Sequence, residues 1–112
     1  PAVFKKNGQF YMLSSNCTGW RPNKGTYSKT YDGMIDGRWS VLSNFGDDTT
    51  FHSQPSFVLP IESAGGTEDY YFGDRWGLTS EEYFTYVVLK LRFDADGNPY
   101  IEYNDNAELP SL

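Results

Sequence analysis

Ala2-Val3-Phe4-Lys5-Lys6-Asn7-Gly8-Gln9-Phe10-Tyr11-Met12-Leu13-Ser14 decides the fold class. Two runs rich in β-branched and aromatic residues flank an Asn-Gly pair. Both central positions of that pair tolerate positive φ, so the stretch is predicted to be a tight antiparallel hairpin. The same grammar continues outward. Asp32-Gly33 and Asp36-Gly37 bracket a loop between residues 24–31 and the run Arg38-Trp39-Ser40-Val41-Leu42. Asp94-Ala95-Asp96-Gly97-Asn98 closes another hairpin, joining residues 86–93 to Tyr100-Ile101-Glu102-Tyr103. Short strands separated by turn chemistry imply an all-β chain. The exception is Leu78-Thr79-Ser80-Glu81-Glu82-Tyr83, where Thr79 or Ser80 can cap a single helical turn.

The strands fall into two sets of four, separated by a polar loop at residues 43–50. The first strands start near Ala2 and Phe57, about 55 residues apart, a spacing typical of four-stranded propeller blades. A β-sandwich also presents short strands at regular spacing. The pattern alone fits both equally.

With 112 residues there is room for one domain. A formal charge of −6 argues against nucleic acid, whose binding needs Lys and Arg against phosphates. No run of eighteen apolar residues is present to span a membrane as a helix. Pro1-Ala2-Val3-Phe4-Lys5-Lys6 lacks the basic-then-apolar order of a signal peptide. Cys17 has no cysteine partner, and reads as a small buried hydrophobe. His52, the one histidine, has no cluster of carboxylates around it in sequence, so no metal and no cofactor are expected.

Three stretches set small polar residues beside apolar runs: Asn16-Cys17-Thr18-Gly19-Trp20, residues 51–60 with Ser53-Gln54 at their head, and Tyr70-Tyr71-Phe72-Gly73-Asp74-Arg75-Trp76. Hydroxyl, amide and aromatic groups at a sheet rim suit an oligo- or polysaccharide ligand. Gly19 permits close backbone approach. Trp20 and Trp76 offer stacking plates, whereas Trp39 is expected in the core of an outer strand. Asp74 and Arg75 either pair at the rim beside Trp76 or bind hydroxyls directly. Glu81 and Glu82 read as a solvated face.

The run from Pro1 to Trp20 resembles the fourth blade of glycoside hydrolase family 43, within its exo-β-1,3-galactanase-like group. Residues 49–60 and Gly73-Asp74-Arg75-Trp76 look like the fifth. The resemblance implies part of a five-bladed β-propeller, with blade-like units at about residues 1–45 and 51–107. It implies an enzyme that releases β-linked galactose with inversion, the catalytic acid lying in earlier blades and one glutamate just before the segment matching Pro1. Gln54 matches the glutamine that this group uses where other members carry an aspartate base. Thr18, Gly19, Trp20, Asp74, Arg75 and Trp76 then bind substrate. An amide has no useful basicity near neutral pH, so Gln54 can orient a water but not take its proton. The isolated chain is expected to be inactive. It is also expected to self-associate, or to lack an N-terminal propeller segment. By family resemblance it is secreted or periplasmic. The alternative is a non-catalytic carbohydrate-binding or assembly module.

Overall fold

The Asn7-Gly8 pair turns the chain with φ of 50° and 79°. It joins β1 (Ala2–Lys6) to β2 (Gln9–Ser15), with Ala2 opposite Leu13 and Lys6 opposite Gln9. The computed structural model describes residues 1–15, 23–47, 49–51, 53–63, 65–75 and 85–103. Cys17, Glu81, Glu82 and the expected helical turn at 78–83 lie outside them. β3 (Gly25–Lys29) and β4 (Ser43–Phe45) complete one antiparallel sheet in the order β1-β2-β3-β4. β5 (Gln54–Ser63), β6 (Gly66–Arg75), β7 (Thr85–Phe93) and β8 (Pro99–Tyr100) repeat that meander in a second sheet. The fold is all-β, with two four-stranded sheets.

Strand positions differ from expectation in two places. The fourth strand is Ser43–Phe45, not residues 38–42. Past β3 only an isolated bridge joins Thr30 to Trp39. The Ser40 hydroxyl accepts from the Lys29 amide at 3.0 Å, standing in for a main-chain carbonyl. That substitution interrupts the ladder, which resumes at Ser43. Trp39 is consequently half-buried in a loop, its indole donating to the Ile35 carbonyl at 3.1 Å. The second set begins at Gln54, three residues before Phe57, and runs through Pro55 and Pro60. β5 pairs on one side only, so a strand lacking two amide donors is tolerated there.

Because side chains alternate across each strand, every sheet has one face turned to the other sheet. Ala2, Leu13 and Phe45 from the first pack with Tyr71, Val87, Leu89 and Leu91 from the second. Burying a Leu such as Leu13 or Leu89 contributes about 1.5–3 kcal/mol relative to leaving it in water. Phe45 meets Tyr71 edge to face at 5.5 Å. At one end of this seam Lys6 reaches Asp69 at 2.6 Å and lies 5.5 Å above the Phe93 ring. Tyr11 packs on the same ring and donates to the Gly97 carbonyl at 3.0 Å. The opposite faces remain open. Val3 is 51% exposed on the first sheet and Tyr86 61% on the second, where Phe57 stacks on Phe72 at 4.6 Å.

Candidate functional site

Gln54 is the first residue of β5 and lies directly opposite Asp74 on β6, which in turn lies opposite Tyr86 on β7. Cross-strand partners share a face. The register therefore sets an amide, a carboxylate and a phenol in a row across the second sheet, on the side away from the first sheet. Arg75 is the next residue and turns the other way. Its Nη2 donates to the Phe51 carbonyl at 3.1 Å, while its Nε is buried without a hydrogen-bond partner among the described residues. The two do not form a rim ion pair, since neighbouring strand residues point apart. Arg75 instead supports the loop that leads into Gln54.

That loop is unusually constrained. Thr50 and Phe51 have φ of 53° and 54°. For a β-branched or bulky side chain this left-handed backbone is a genuine outlier. Such conformations persist only where the surroundings over-determine them. Asp47 supplies part of that determination, one carboxylate oxygen accepting from the Thr49 amide at 2.9 Å and the Phe51 amide at 2.7 Å. Thr50 then donates from Oγ1 to the Asn23 carbonyl at 2.9 Å, tying the loop to the first sheet's side of the seam.

Under Gln54 lies a buried hydroxyl pair. Ser53 Oγ is 2.5 Å from the Thr50 carbonyl and 2.8 Å from Tyr71 Oη. A carbonyl only accepts, so Ser53 spends its single proton on Thr50. The Tyr71 phenol must therefore donate to Ser53. Burial, outweighing the Ser53 hydrogen bond, pushes the Tyr71 phenol well above the ordinary tyrosine range and keeps it a donor. Gly73 makes the room. A Cβ there would lie 2.6 Å from Tyr71 Oη and 2.7 Å from Ser53 Oγ.

Of the residues expected to form the site, Gln54 and Asp74 share one row, and Arg75 stands behind them. Thr18, Gly19, Trp20, His52 and Trp76 lie outside the described residues. Among the described residues, no group of three or more His, Cys, Asp and Glu gathers to hold a metal ion. Thr50, Ser53 and Tyr71 were missed as contributors. Gly73, directly after Tyr70-Tyr71-Phe72 inside a strand, was the available signal, because such a glycine often marks a close approach.

No protein-family model matches the sequence, and no curated sequence matches it significantly. Solved structures do. An exo-β-1,3-galactanase from Clostridium thermocellum superposes with a TM-score of 0.83 and 37% identity, over 92% of this chain and 23% of that one. The chain belongs to glycoside hydrolase family 43. A family 43 β-1,3-galactosidase holding galactodeoxynojirimycin gives a TM-score of 0.80 and 31% identity over 97% of this chain and 32% of that one. The exo-β-1,3-galactanase from Phanerochaete chrysosporium with β-1,3-galactotriose gives 0.76 and 28% over 94% of this chain and 23% of that one. The chain thus spans about a quarter to a third of these family 43 enzymes' lengths. Its two sheets are propeller-type blades rather than the halves of a sandwich.

Proposed function

We propose that this family 43 segment forms part of the active centre of an inverting glycosidase that releases terminal β-linked galactose from a galactan. The observation that carries the reading is the position of Gln54. It heads β5 at the strand's rim end, opposite Asp74, within a chain 37% identical to an exo-β-1,3-galactanase. Inversion requires a water on the face of the sugar opposite the leaving group, with an acid and a base-side group roughly 6.5–9.5 Å apart. The Gln54 carboxamide oxygen accepts a hydrogen bond from that water and fixes its lone pair toward the anomeric carbon. The C1–O bond to the leaving sugar breaks as the water's C1–O bond forms. The leaving oxygen takes its proton from an acid supplied by the rest of the propeller. The attacking water loses its proton to a base or to solvent on that side, since the Gln54 amide only orients it. Asp74, beside Gln54, and the Thr18-Gly19-Trp20 and Trp76 positions contact sugar hydroxyls and ring faces. A polysaccharide substrate fits a secreted or periplasmic setting.

Within a complete propeller, Gln54→Ala is expected to lower kcat more than it raises KM on β-1,3-galactan. Weaker binding with turnover unchanged would make Gln54 a ligand contact only. The 112-residue chain alone is expected to bind galacto-oligosaccharide weakly in calorimetric titration and not to turn it over. Turnover clearly above buffer would overturn the assignment of the acid to other blades. The open faces around Val3 and around Phe57, Leu59 and Tyr86 are expected to associate. Light scattering that finds a monomer at every concentration would contradict that.

A further inference from the structure

We infer that Tyr71 is a positioning residue for Gln54, acting through Ser53; the inference rests on the reading of Gln54 given above. Placing a water for attack demands that the orienting amide be held still, since misplacement by about 1 Å can cost about a hundredfold in rate. Gln54 enters its strand from a segment whose two left-handed residues, Thr50 and Phe51, do not hold their own conformation cheaply. Ser53 is the last residue before Gln54, and it is locked from two sides. Its hydroxyl is donated to the carbonyl of left-handed Thr50, and it receives the Tyr71 phenol proton. Tyr71 comes from β6, paired on both edges by β5 and β7, so the donor stands on an interior strand of the sheet.

The direction of these bonds matters. Tyr71 donates to Ser53, Ser53 donates to the Thr50 carbonyl, and the Thr50 hydroxyl donates to the Asn23 carbonyl. The buried chain thus starts in the middle of the second sheet and ends at Asn23, two residues before β3. One set of hydroxyls joins the stretch ahead of Gln54 to the residues that lead into β3. Ser53, Thr50 and Tyr71 are each 1% exposed or less, so water does not replace any of these bonds.

The test compares two phenol deletions in the isotopically labelled 112-residue chain. Tyr71→Phe removes the donor beneath Ser53, and Tyr11→Phe removes the phenol-to-carbonyl bond at the far end of the seam. Tyr71→Phe is expected to broaden or shift the Gln54 carboxamide and backbone signals, and to speed exchange of the Gln54 amide by about tenfold. Tyr11→Phe is expected to leave them in place. Unchanged Gln54 signals in Tyr71→Phe, or equal changes in both variants, would overturn the inference. Should Tyr71→Phe not fold, Ser53→Ala poses the same question with the ring retained. In a complete propeller, Tyr71→Phe is expected to lower kcat by about ten- to a hundredfold with KM unchanged. If Gln54 loses its order in the labelled chain yet Gln54→Ala leaves turnover intact, the catalytic reading fails and the positioning stands.

Discussion

The two ends of the seam between the sheets are held by different chemistry. At the hairpin end, a cation meets a buried carboxylate and an aromatic cluster: Lys6, Asp69, Tyr11 and Phe93. Apart from the Tyr11 bond to the Gly97 carbonyl, these are side-chain contacts between regular strands, and they hold the sheets together. At the rim end, Asn23, Thr50, Ser53 and Tyr71 join hydroxyls to carbonyls, and the backbone between them is left-handed at two residues. One end stores stability and the other stores geometry. Strained backbone gathers where placement matters more than strength.

The hairpin end yields the largest stability effect. Asp69 has a side chain only 7% exposed and Lys6 is its sole ion-pair partner among the described residues. Lys6→Met therefore strands a buried charge and is expected to cost about 3 kcal/mol, read as a lower urea midpoint. Lys6→Met with Asp69→Leu should recover most of that loss, because an apolar pair of similar volume replaces a buried ion pair at little cost. The Gln54 signals should stay put in both. If they move, the two ends are coupled and the contrast between them is wrong.

At the rim end the expected order follows from proton counting. Ser53→Ala leaves the buried Tyr71 phenol with a proton and no acceptor, and is expected to cost about 2 kcal/mol. Tyr71→Phe removes donor and proton together and leaves Ser53 still donating to Thr50, so about 1 kcal/mol is expected. Equal or reversed losses in denaturant titration would mean that the hydroxyls point the other way.

What the sequence made legible divides along the same line. Asn7-Gly8 between two β-type runs announces the first hairpin, because turn chemistry is local. The placement of β4 was not legible, since a serine hydroxyl acting as a ladder acceptor leaves no mark in hydropathy. Opposing Gln54 to Asp74 requires the register of a hairpin of two ten-residue strands that contains a bulge between Pro55 and Phe57. The Ser53–Tyr71 pair spans eighteen residues and depends on Gly73 lacking a Cβ. The Gln54 stretch was legible as polar residues ahead of an apolar run, but the role of Gln54 came through family resemblance alone.

Alkaline titration separates the ends further. The Tyr71 phenol is raised chiefly by burial, so the folded state holds its proton more tightly than the unfolded chain does. Its contribution is fully present below the ordinary phenol value of about 10 and is lost as pH rises above it. Wild-type stability should thus fall more steeply than that of Tyr71→Phe between about pH 10 and 11. The Tyr11 phenol is also raised, by burial first and the Tyr27 phenol second, and Tyr11→Phe should flatten the same limb. Its ring is less enclosed than that of Tyr71, so the flattening should be smaller. Identical alkaline limbs for Tyr71→Phe and wild type would mean that water reaches the rim phenol.

The smallest effect is expected in the loop between β7 and β8, beside the hairpin end. One Asp94 oxygen accepts from the Asp96 and Asn98 amides, each at 2.9 Å, closing the turn before β8. Those bonds, the Asn98 amide first, hold the Asp94 carboxyl below its ordinary value. A depressed carboxylate stabilises the fold above the unfolded value of about 4, and the contribution disappears as pH falls through the lower folded value. The group is exposed, so solvent screens most of it. Asp94→Ala should speed exchange of the Asp96 and Asn98 amides and remove a slight acid-side loss of stability. The same loop supplies the Gly97 carbonyl that accepts from Tyr11, so loosening it tests whether the hairpin end relies on loop geometry at all. If Asp94→Ala also disturbs the Tyr11 ring signals, that end is held by a constrained turn as the rim is, and the division between stored stability and stored geometry collapses.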